Sequence, residues 1–396
     1  MQEIRTDRDN QLLRVAICTT DNRENTRLYS VGRPYFGTAP EALLDGMNGL
    51  DGLEVHVLSC TQQPVSAPTI LGKNIFFHSL LVPRWGWLRT GYMGCCRAVR
   101  KKLARLKPNL VHGQGTERDC AIEAVSSGFP NLITLHGNIR SVAKKMGASL
   151  FSYYGLQSFL EAWTLKKTGG VLCNSRYTEQ MASPLNSQTQ LVPNAVRKVF
   201  FELPRRLSNP KKGGLRLLMV GVISPYKQPL EFLRFLQDWR HHPDFPVKSC
   251  LWIGRADPGH AYAKRFLQEI GEAKSQGWAD HLAELSAEAL IQKMDESDLL
   301  VHLPTEEAFG LVVAEAMVRG LPIVATRIGG LPDFAKVYPK IRLVSDHLPL
   351  EWRHAIEAET HSADRILLDS WDSQRYHPKT IAQKHLEIYR ELISAR

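Results

Sequence analysis

Short runs of branched apolar residues recur along the chain, each closed by small or polar residues, with amphipathic stretches between them. That alternation predicts parallel strands joined by helical crossovers. In the first half the runs are LRVAICT (13–19), LEVHVLSC (53–60), NLVHGQG (109–115), NLITLHG (131–137), GGVLCNS (169–175) and QLVPN (190–194). The series restarts with LRLLMVGV (215–222), VKSCLWIGR (247–255), SDLLVHLPT (297–305), LPIVATRIGG (321–330) and IRLVSD (341–346). Between the two series lies VRKVFFELPRRLSNPKKGG (196–214), polar, basic and proline-containing, which reads as a linker. The expected fold class is α/β: two Rossmann-like, doubly wound domains, residues 1–200 and 213–375, followed by a helix over 376–396 placed to cross back to the first. Ligands of such sheets bind at the carboxyl ends of strands, so chemistry is expected just after each run.

At 396 residues and 43% hydrophobic, the chain is long enough for more than one core. No run reaches the roughly 18 apolar residues of a spanning helix. The charged start, MQEIRTDRDN, lacks the apolar centre of an export signal, so a cytoplasmic protein is expected. The seven cysteines (Cys18, Cys60, Cys95, Cys96, Cys120, Cys173, Cys250) show no C-x-x-C and no Cys/His cluster. They read as free thiols in the core, not as a disulfide framework or a zinc site.

The net charge of +10 is carried by residues 1–200, the second half being balanced. A one-sided basic excess fits an anionic partner surface. The densest cluster is RAVRKKLARLKP (97–108), where Val99, Leu103 and Leu106 keep helical spacing, with VPRWGWLRTGYM (82–93) just before it. Residues 82–107 thus read either as a membrane-surface helix with interfacial aromatics, meeting an anionic membrane peripherally, or as the solvated face of an ordinary helix. Neither a zinc finger nor an aromatic RNA-binding signature is present, so nucleic acid is not expected. No elbow motif with a Ser/His/Asp or Cys/His set supports hydrolase chemistry.

The richest stretch is PTEEAFGLVVAEAMVRGLPIVATRIGG (304–330). DLLVHLP reads as a buried strand, TEEAFG as a loop, and LVVAEAMVRG as a helix ended by Gly320. Eight helical residues turn about 800°, so Glu307 and Glu315 would not share a face if both lay on one helix. With Glu307 in the loop and Glu315 inside the helix, the backbone amides of Gly310, Leu311 and Val312 open the helix toward a phosphate, and Gly310 allows close approach. Carboxylates on either side of that phosphate would accept hydrogen bonds from sugar hydroxyls. The ligand implied is a sugar, a diphosphate and a ribose, against the plain alternative of a crossover helix with solvated acids.

Glu307-Ala-Phe-Gly-Leu-Val-Val-Ala-Glu315, followed by Gly320, Pro322, VAT and Gly329-Gly330, resembles the E-x7-E signature of family 4 retaining glycosyltransferases of the GT-B fold. The resemblance extends to VGVISPYKQPLEFL (220–233), SAEALIQKMDESDLLVHLPT (286–305), LCNSRYTEQM (172–181), LVPNAV (191–196), KPNLVHGQG (107–115) and LITLHG (132–137). It implies transfer of a sugar from a UDP- or GDP-type nucleotide-sugar donor to a glycan, lipid-linked or small-molecule acceptor, with retention, in a cleft between two domains. No metal and no further cofactor is implied. By the same resemblance Glu307 binds donor-sugar hydroxyls and Glu315 the ribose diol. Gly310, Leu311 and Val312 hold the phosphate by backbone, with Phe309 and the phosphate-loop Gly221 beside the donor. Lys227 meets the diphosphate, and His136 faces the reacting sugar. With no metal implied, charge on the leaving group falls by the same resemblance to Lys227 and a helix dipole.

This sequence departs from the family pattern at several points. Val222 stands where an arginine usually follows the glycine, leaving Arg255 and Arg197 as candidate substitutes. The usual glycine pair after the first strand is absent, and RPYFGTAPEALLDG (33–46) offers Gly37 and Thr38 instead. Ala195 and Arg197 replace Gly and Asp, and Asp333 replaces a glutamate. His112 and Gln114 are candidates for the acceptor side. Two other readings stay open, a sugar-nucleotide epimerase of the same fold and a nucleotide-sugar-binding protein that has lost turnover.

Overall fold

The computed structural model describes residues 12–145, 147–205, 213–345, 347–360 and 371–395. The charged N-terminal stretch, the end of the expected linker at 206–212 and Asp346 of the run 341–346 lie outside the described residues.

The chain forms two compact units, residues 1–195 with 376–396, and residues 196–375. In the first, eight strands run β1 (Leu13–Cys18), β2 (Leu53–Thr61), β3 (Ile70–Gly72), β4 (Ile75–Leu81), β5 (Leu110–Gln114), β6 (Asn131–Leu135), β7 (Val171–Cys173) and β8 (Thr189–Leu191). They lie in the order β3-β4-β2-β1-β5-β6-β7-β8, parallel except for β3 against β4. In the second unit β9 (Leu215–Val220), β10 (Val247–Ile253), β11 (Ala279–Leu282), β12 (Leu299–His302), β13 (Ile323–Thr326) and β14 (Ile341–Val344) are ordered β11-β10-β9-β12-β13-β14. The central strands are apolar on both faces because helices cover both sides. Val15 and Val55 belong to one core, and Leu217, Trp252, Phe232 and Phe266 to the other.

Strand order reverses between β1 and β5 in the first sheet and between β9 and β12 in the second. A crevice opens at such a switch point, outside the carboxyl ends of the strands. The loops after β9 and β12 are those that carry Lys227 and Glu307.

Three strands differ from the apolar-run reading. β3 and β4 extend the first sheet's edge through LGKNIFFHSLL (71–81), and β11 closes the second through ADHL, all too polar or too short to stand out. The expected linker is also partly ordered structure. Residues Val199–Glu202 form a helical turn, and Phe200 is buried, so the division falls after 195 instead of 200. Arg319 fixes this segment: its guanidinium donates to the Phe200 and Leu203 carbonyls while paired to Asp295 at 2.7 Å.

The final helix, Pro378–Ser394, packs in the first unit against Thr38–Met47. Gly46 makes that packing possible, since a Cβ there would lie 2.1 Å from the Pro378 carbonyl oxygen. The run 97–108 lies in the helix Met93–Leu106, whose Cys95, Cys96, Val99 and Leu103 are buried while Arg97, Arg100, Lys101 and Arg105 face solvent. Among the described residues no helix is long and apolar enough to cross a membrane.

Candidate functional site

The site of the second unit is assembled from three chain segments that meet beyond β9 and β12. The chain leaves β9 at Gly221 and makes a short turn, Pro225–Lys227, that brings the lysine stem back alongside Gly221. The loop after β12 is tied to that turn: Thr305 N–H donates to the Tyr226 carbonyl at 2.8 Å and the Gln228 amide to the Leu303 carbonyl at 2.9 Å. Glu307 and Lys227 are thereby brought together, and Lys227 Nζ donates to Glu307 Oε2 at 2.6 Å. His302, the last residue of β12, places its Nε2 3.0 Å from the same oxygen.

Gly329 and Gly330 hold Glu307 from behind. Gly330 N–H donates to the Glu307 carbonyl at 3.0 Å. Gly329 has φ +54, and a Cβ there would sit 1.8 Å from the Glu307 carbonyl oxygen. Only glycine permits that approach.

Gly310, at φ +94, begins the helix Leu311–Val318, and the first helical amides to return to its carbonyl are those of Val313 and Ala314. The amides of Gly310, Leu311 and Val312 therefore stand at the positive end of the helix. Glu315 lies one turn in, buried, with Arg197 Nη2 2.8 Å from its Oε1. The ring of Phe309 differs from its expected place beside the donor: it is buried against Phe334 with centroids 5.1 Å apart, so its side chain supports the loop from the core.

The two acids have opposite electrostatics. Burial pushes the Glu307 carboxyl up, but the Lys227 charge and the His302 hydrogen bond more than offset this and hold it at about 2. Burial dominates at Glu315 and raises it, with Arg197 working in the other direction. His302 is lowered, by burial first and with Lys227 adding to it, so it is neutral near pH 7. Val222 is exposed, and one residue on, Ile223 N–H bonds the Arg255 carbonyl at 3.0 Å. Of the two candidate substitutes for a second cation, Arg197 is committed to Glu315, whereas the exposed Arg255 stands on the loop beside Val222.

In the first unit His136 follows β6 and its Nε2 lies 2.7 Å from Gln114 Oε1, which makes it the donor. Burial lowers its pKa to about 4, so the ring is neutral at pH 7. His112 differs from the expectation of an acceptor-side residue. It is fully buried, 2.7 Å from Tyr389 Oη of the final helix and 2.7 Å from Thr134 Oγ1, and acts as a structural pin. Gln114 joins the two, its amide nitrogen 3.2 Å from His112 Nε2.

Glu117 was not singled out by sequence. Its carboxyl accepts amide hydrogen bonds from Thr116, Gly137 and itself, next to the carboxyl ends of β5 and β6, and burial nonetheless raises it. The available signal is an acid two residues after Gly115 at the end of a strand; its approach to Gly137 is visible only in the fold. The sequence offers Arg197 as a spare cation but not as the partner of Glu315, and His302 only as part of a strand. Neither contact is visible from spacing.

The sequence model of the group 1 glycosyl transferases matches residues 202–356, and that of Glycosyltransferase Family 4 matches residues 42–198. The chain belongs to the family 4 glycosyltransferases. Its curated relatives include a D-inositol 3-phosphate glycosyltransferase of Paenarthrobacter aurescens, 27% identical over 212 residues, which are 51% of each chain. The enzyme of that name from Corynebacterium diphtheriae is 37% identical over 145 residues, 36% of this chain and 33% of that protein. The chain thus spans about half the length, or less, of the curated relatives it matches.

Among solved structures, sucrose-phosphate synthase of Thermosynechococcus elongatus superposes with TM-score 0.70 at 19% identity, covering 97% of this chain and all of that one. Anabaena Alr3699/HepE in complex with UDP gives 0.67 at 16%, with 96% and 100% covered. These likenesses establish the fold, two parallel-sheet α/β domains of the GT-B class.

Proposed function

We propose that this family 4 glycosyltransferase moves a sugar from a nucleoside diphosphate sugar, of UDP or GDP type, to its acceptor with retention of configuration and without a metal. The observation that carries the proposal is the Lys227–Glu307–His302 cluster at the switch point of the second sheet, one loop before a helix that opens on Gly310. In this reading Lys227 turns from Glu307 to the diphosphate as the donor enters. The amides of Gly310, Leu311 and Val312 hold the phosphate from the other side. Glu307, kept ionised, accepts from hydroxyls of the transferred sugar. Glu315 takes the ribose diol.

Departure of the phosphate is helped by fixed positive charge where negative charge develops. Front-face attack through an oxocarbenium-like state follows, the phosphate taking the acceptor proton. HepE, whose structures are described with UDP and with UDP-glucose, makes UDP-sugars the first donors to try.

The acceptor is proposed to carry phosphate, because the basic excess lies wholly in the first half, and relatives named for inositol 3-phosphate agree with that. A lipid-linked phosphate is favoured by one feature: Arg97, Arg100, Lys101 and Arg105 face solvent together beside exposed Trp85 and Met93, a basic surface with apolar insertions suited to anionic headgroups. Cosedimentation with phosphatidylglycerol vesicles tests it, and equal binding to neutral vesicles removes it.

Transfer itself is tested by a proton NMR time course on UDP-, GDP- and ADP-sugars, with wild type beside Glu315→Ala. Slow release of nucleotide from one donor, lost in the variant, supports the reading. A donor that binds and stays intact favours instead a binding protein without turnover, to which Val222 in place of an arginine also points. Epimer formed from donor alone would make it an epimerase.

A further inference from the structure

A second polar cluster lies in the first unit and uses none of the residues assigned to the donor. Cys60 is the penultimate residue of β2, Cys95 lies in the helix Met93–Leu106, Asp119 stands at the N-cap of the helix Cys120–Val125 and Glu123 lies within it. Their i, i+4 spacing puts the two carboxyls on one helix face. Sγ of both cysteines and one oxygen of each carboxyl lie within 4.8 Å of one another. Cys60 Sγ is 3.1 Å from Glu123 Oε1, Cys95 bonds both Cys60 and Asp119, and Asp119 bonds Glu123. All four side chains are buried, at 5% exposure or less. Their surroundings are apolar or thiol: Leu58, Val82, Val111, Ile122, Cys18 and Cys120.

Such a cluster is costly by itself. Two carboxyls in contact inside an apolar shell cannot both be ionised without a compensating cation. Arg118 faces Asp119, but it also lies over the Trp87 ring at 5.2 Å and bonds Asn25. The groups acting most strongly on Glu123 are Asp119, Cys60 and Cys18, all acids or thiols.

We propose that Cys60, Cys95, Asp119 and Glu123 form a closed, structural zinc site joining β2 to the two helices. Zinc takes four ligands tetrahedrally from thiolate and carboxylate at about 2.0–2.3 Å, which sets ligand atoms roughly 3.3–3.8 Å apart. The cluster needs only a small contraction to reach that. Two thiolates select zinc over magnesium or calcium, and four protein ligands leave no open position, so the ion holds structure and does not touch the sugar. Binding releases the two thiol protons and the proton held between the two carboxyls to solvent, and Arg118 offsets part of the remaining negative charge. Spacings of 35 and 24 residues between the ligands concealed the set from a motif search.

The test uses the full-length, reduced, metal-free protein titrated with cobalt(II). One equivalent bound, with thiolate-to-cobalt charge-transfer absorption and the intense visible bands of tetrahedral cobalt, both displaced by zinc, is the expected result. The bands disappear in Cys60→Ser/Cys95→Ser and persist in Cys250→Ser. Because Cys60 and Cys95 are core side chains, a second measurement needs no variant. Alkylation of the wild type with N-ethylmaleimide, mapped by mass spectrometry, should be slowed by zinc at Cys60 and Cys95 and unchanged at Cys173 and Cys250. No cobalt retained after dialysis, bands without thiolate character, protection spread evenly over all seven cysteines, or a Cys60–Cys95 disulfide in the purified protein would each overturn the proposal.

Discussion

Replacing Lys227 by Met removes the ammonium group from Glu307 while keeping most of the side chain's volume, and the consequence depends on pH in a way the structure fixes. Glu307 titrates at about 2 against an ordinary 4.5. The difference is worth about 3 kcal/mol. Burial works against it, and Lys227 and His302 supply it, with the charge of Lys227 the larger favourable contribution. As the larger of the two favourable contributions, Lys227 accounts for more than half of that difference, about 2 kcal/mol.

A carboxyl whose folded pKa is depressed contributes stability above its unfolded pKa and loses it as pH falls through the folded value. The wild type should therefore melt roughly 4–8 °C above Lys227→Met between pH 5 and 7. By pH 3 roughly 60% of that gap should remain, and near pH 2 little. Differential scanning calorimetry across that range reads it directly. A gap that is absent at pH 7, or one that stays constant down to pH 2.5, would refute the reasoning, because it would mean that Glu307 is not held ionised by Lys227.

Gly329→Ala must push the Glu307 carbonyl away from a Cβ that would otherwise sit 1.8 Å from it. A displacement on the order of 1 Å is expected to lower kcat/KM for donor turnover about 10²-fold, with a fold preserved by circular dichroism. Arg197→Met strands the buried Glu315 carboxylate and should cost about 3–5 kcal/mol by denaturant titration; Arg197→Met/Glu315→Leu should recover much of it. Val222→Arg adds a cation at an exposed position on the phosphate loop and should tighten UDP binding by isothermal titration, whereas Arg255→Ala should weaken it; if neither changes affinity, the loop does not meet the diphosphate. Tyr389→Phe leaves His112 Nδ1 without its 2.7 Å partner and should destabilise the first unit by about 1–3 kcal/mol, read by hydrogen exchange at β5.

The architecture was legible because parallel strands covered on both faces read as apolar runs, and eleven such runs fall on strands of the two sheets. The edge strands β3 and β11 are half solvated and so do not stand out, and in β4, one strand in from the edge, GKNIFFHS alternates too weakly to separate from a loop. The helical turn at Val199–Glu202 escaped for another reason: its order comes from Arg319 and Asp295, more than ninety residues away. In the site, the separate stations of Glu307 and Glu315 followed from helical geometry, and the loop and helix lie where that geometry required. What spacing could not supply was the pairing. Lys227 and Glu307 are eighty residues apart and meet only because β9 and β12 are neighbours in the sheet. Phe309 was assigned to the donor for its place in the motif, yet side-chain direction is set by packing on Phe334, which no local pattern reports.

The return of the chain from the second unit to the first has a consequence for synthesis. The helix Pro378–Ser394 supplies Ile381, Leu386 and Tyr389 to the core of a unit whose other residues are made first. The ribosome adds about 5–20 residues per second, so roughly 10–40 s separate Ala195 from the end of that helix. During that interval residues 196–375 emerge as an uninterrupted unit able to complete its own core. The half of the molecule that is translated first is thus the half that finishes folding last, and for that time it exposes on Thr38–Met47 the apolar seat of a helix not yet made, a surface open to chaperones.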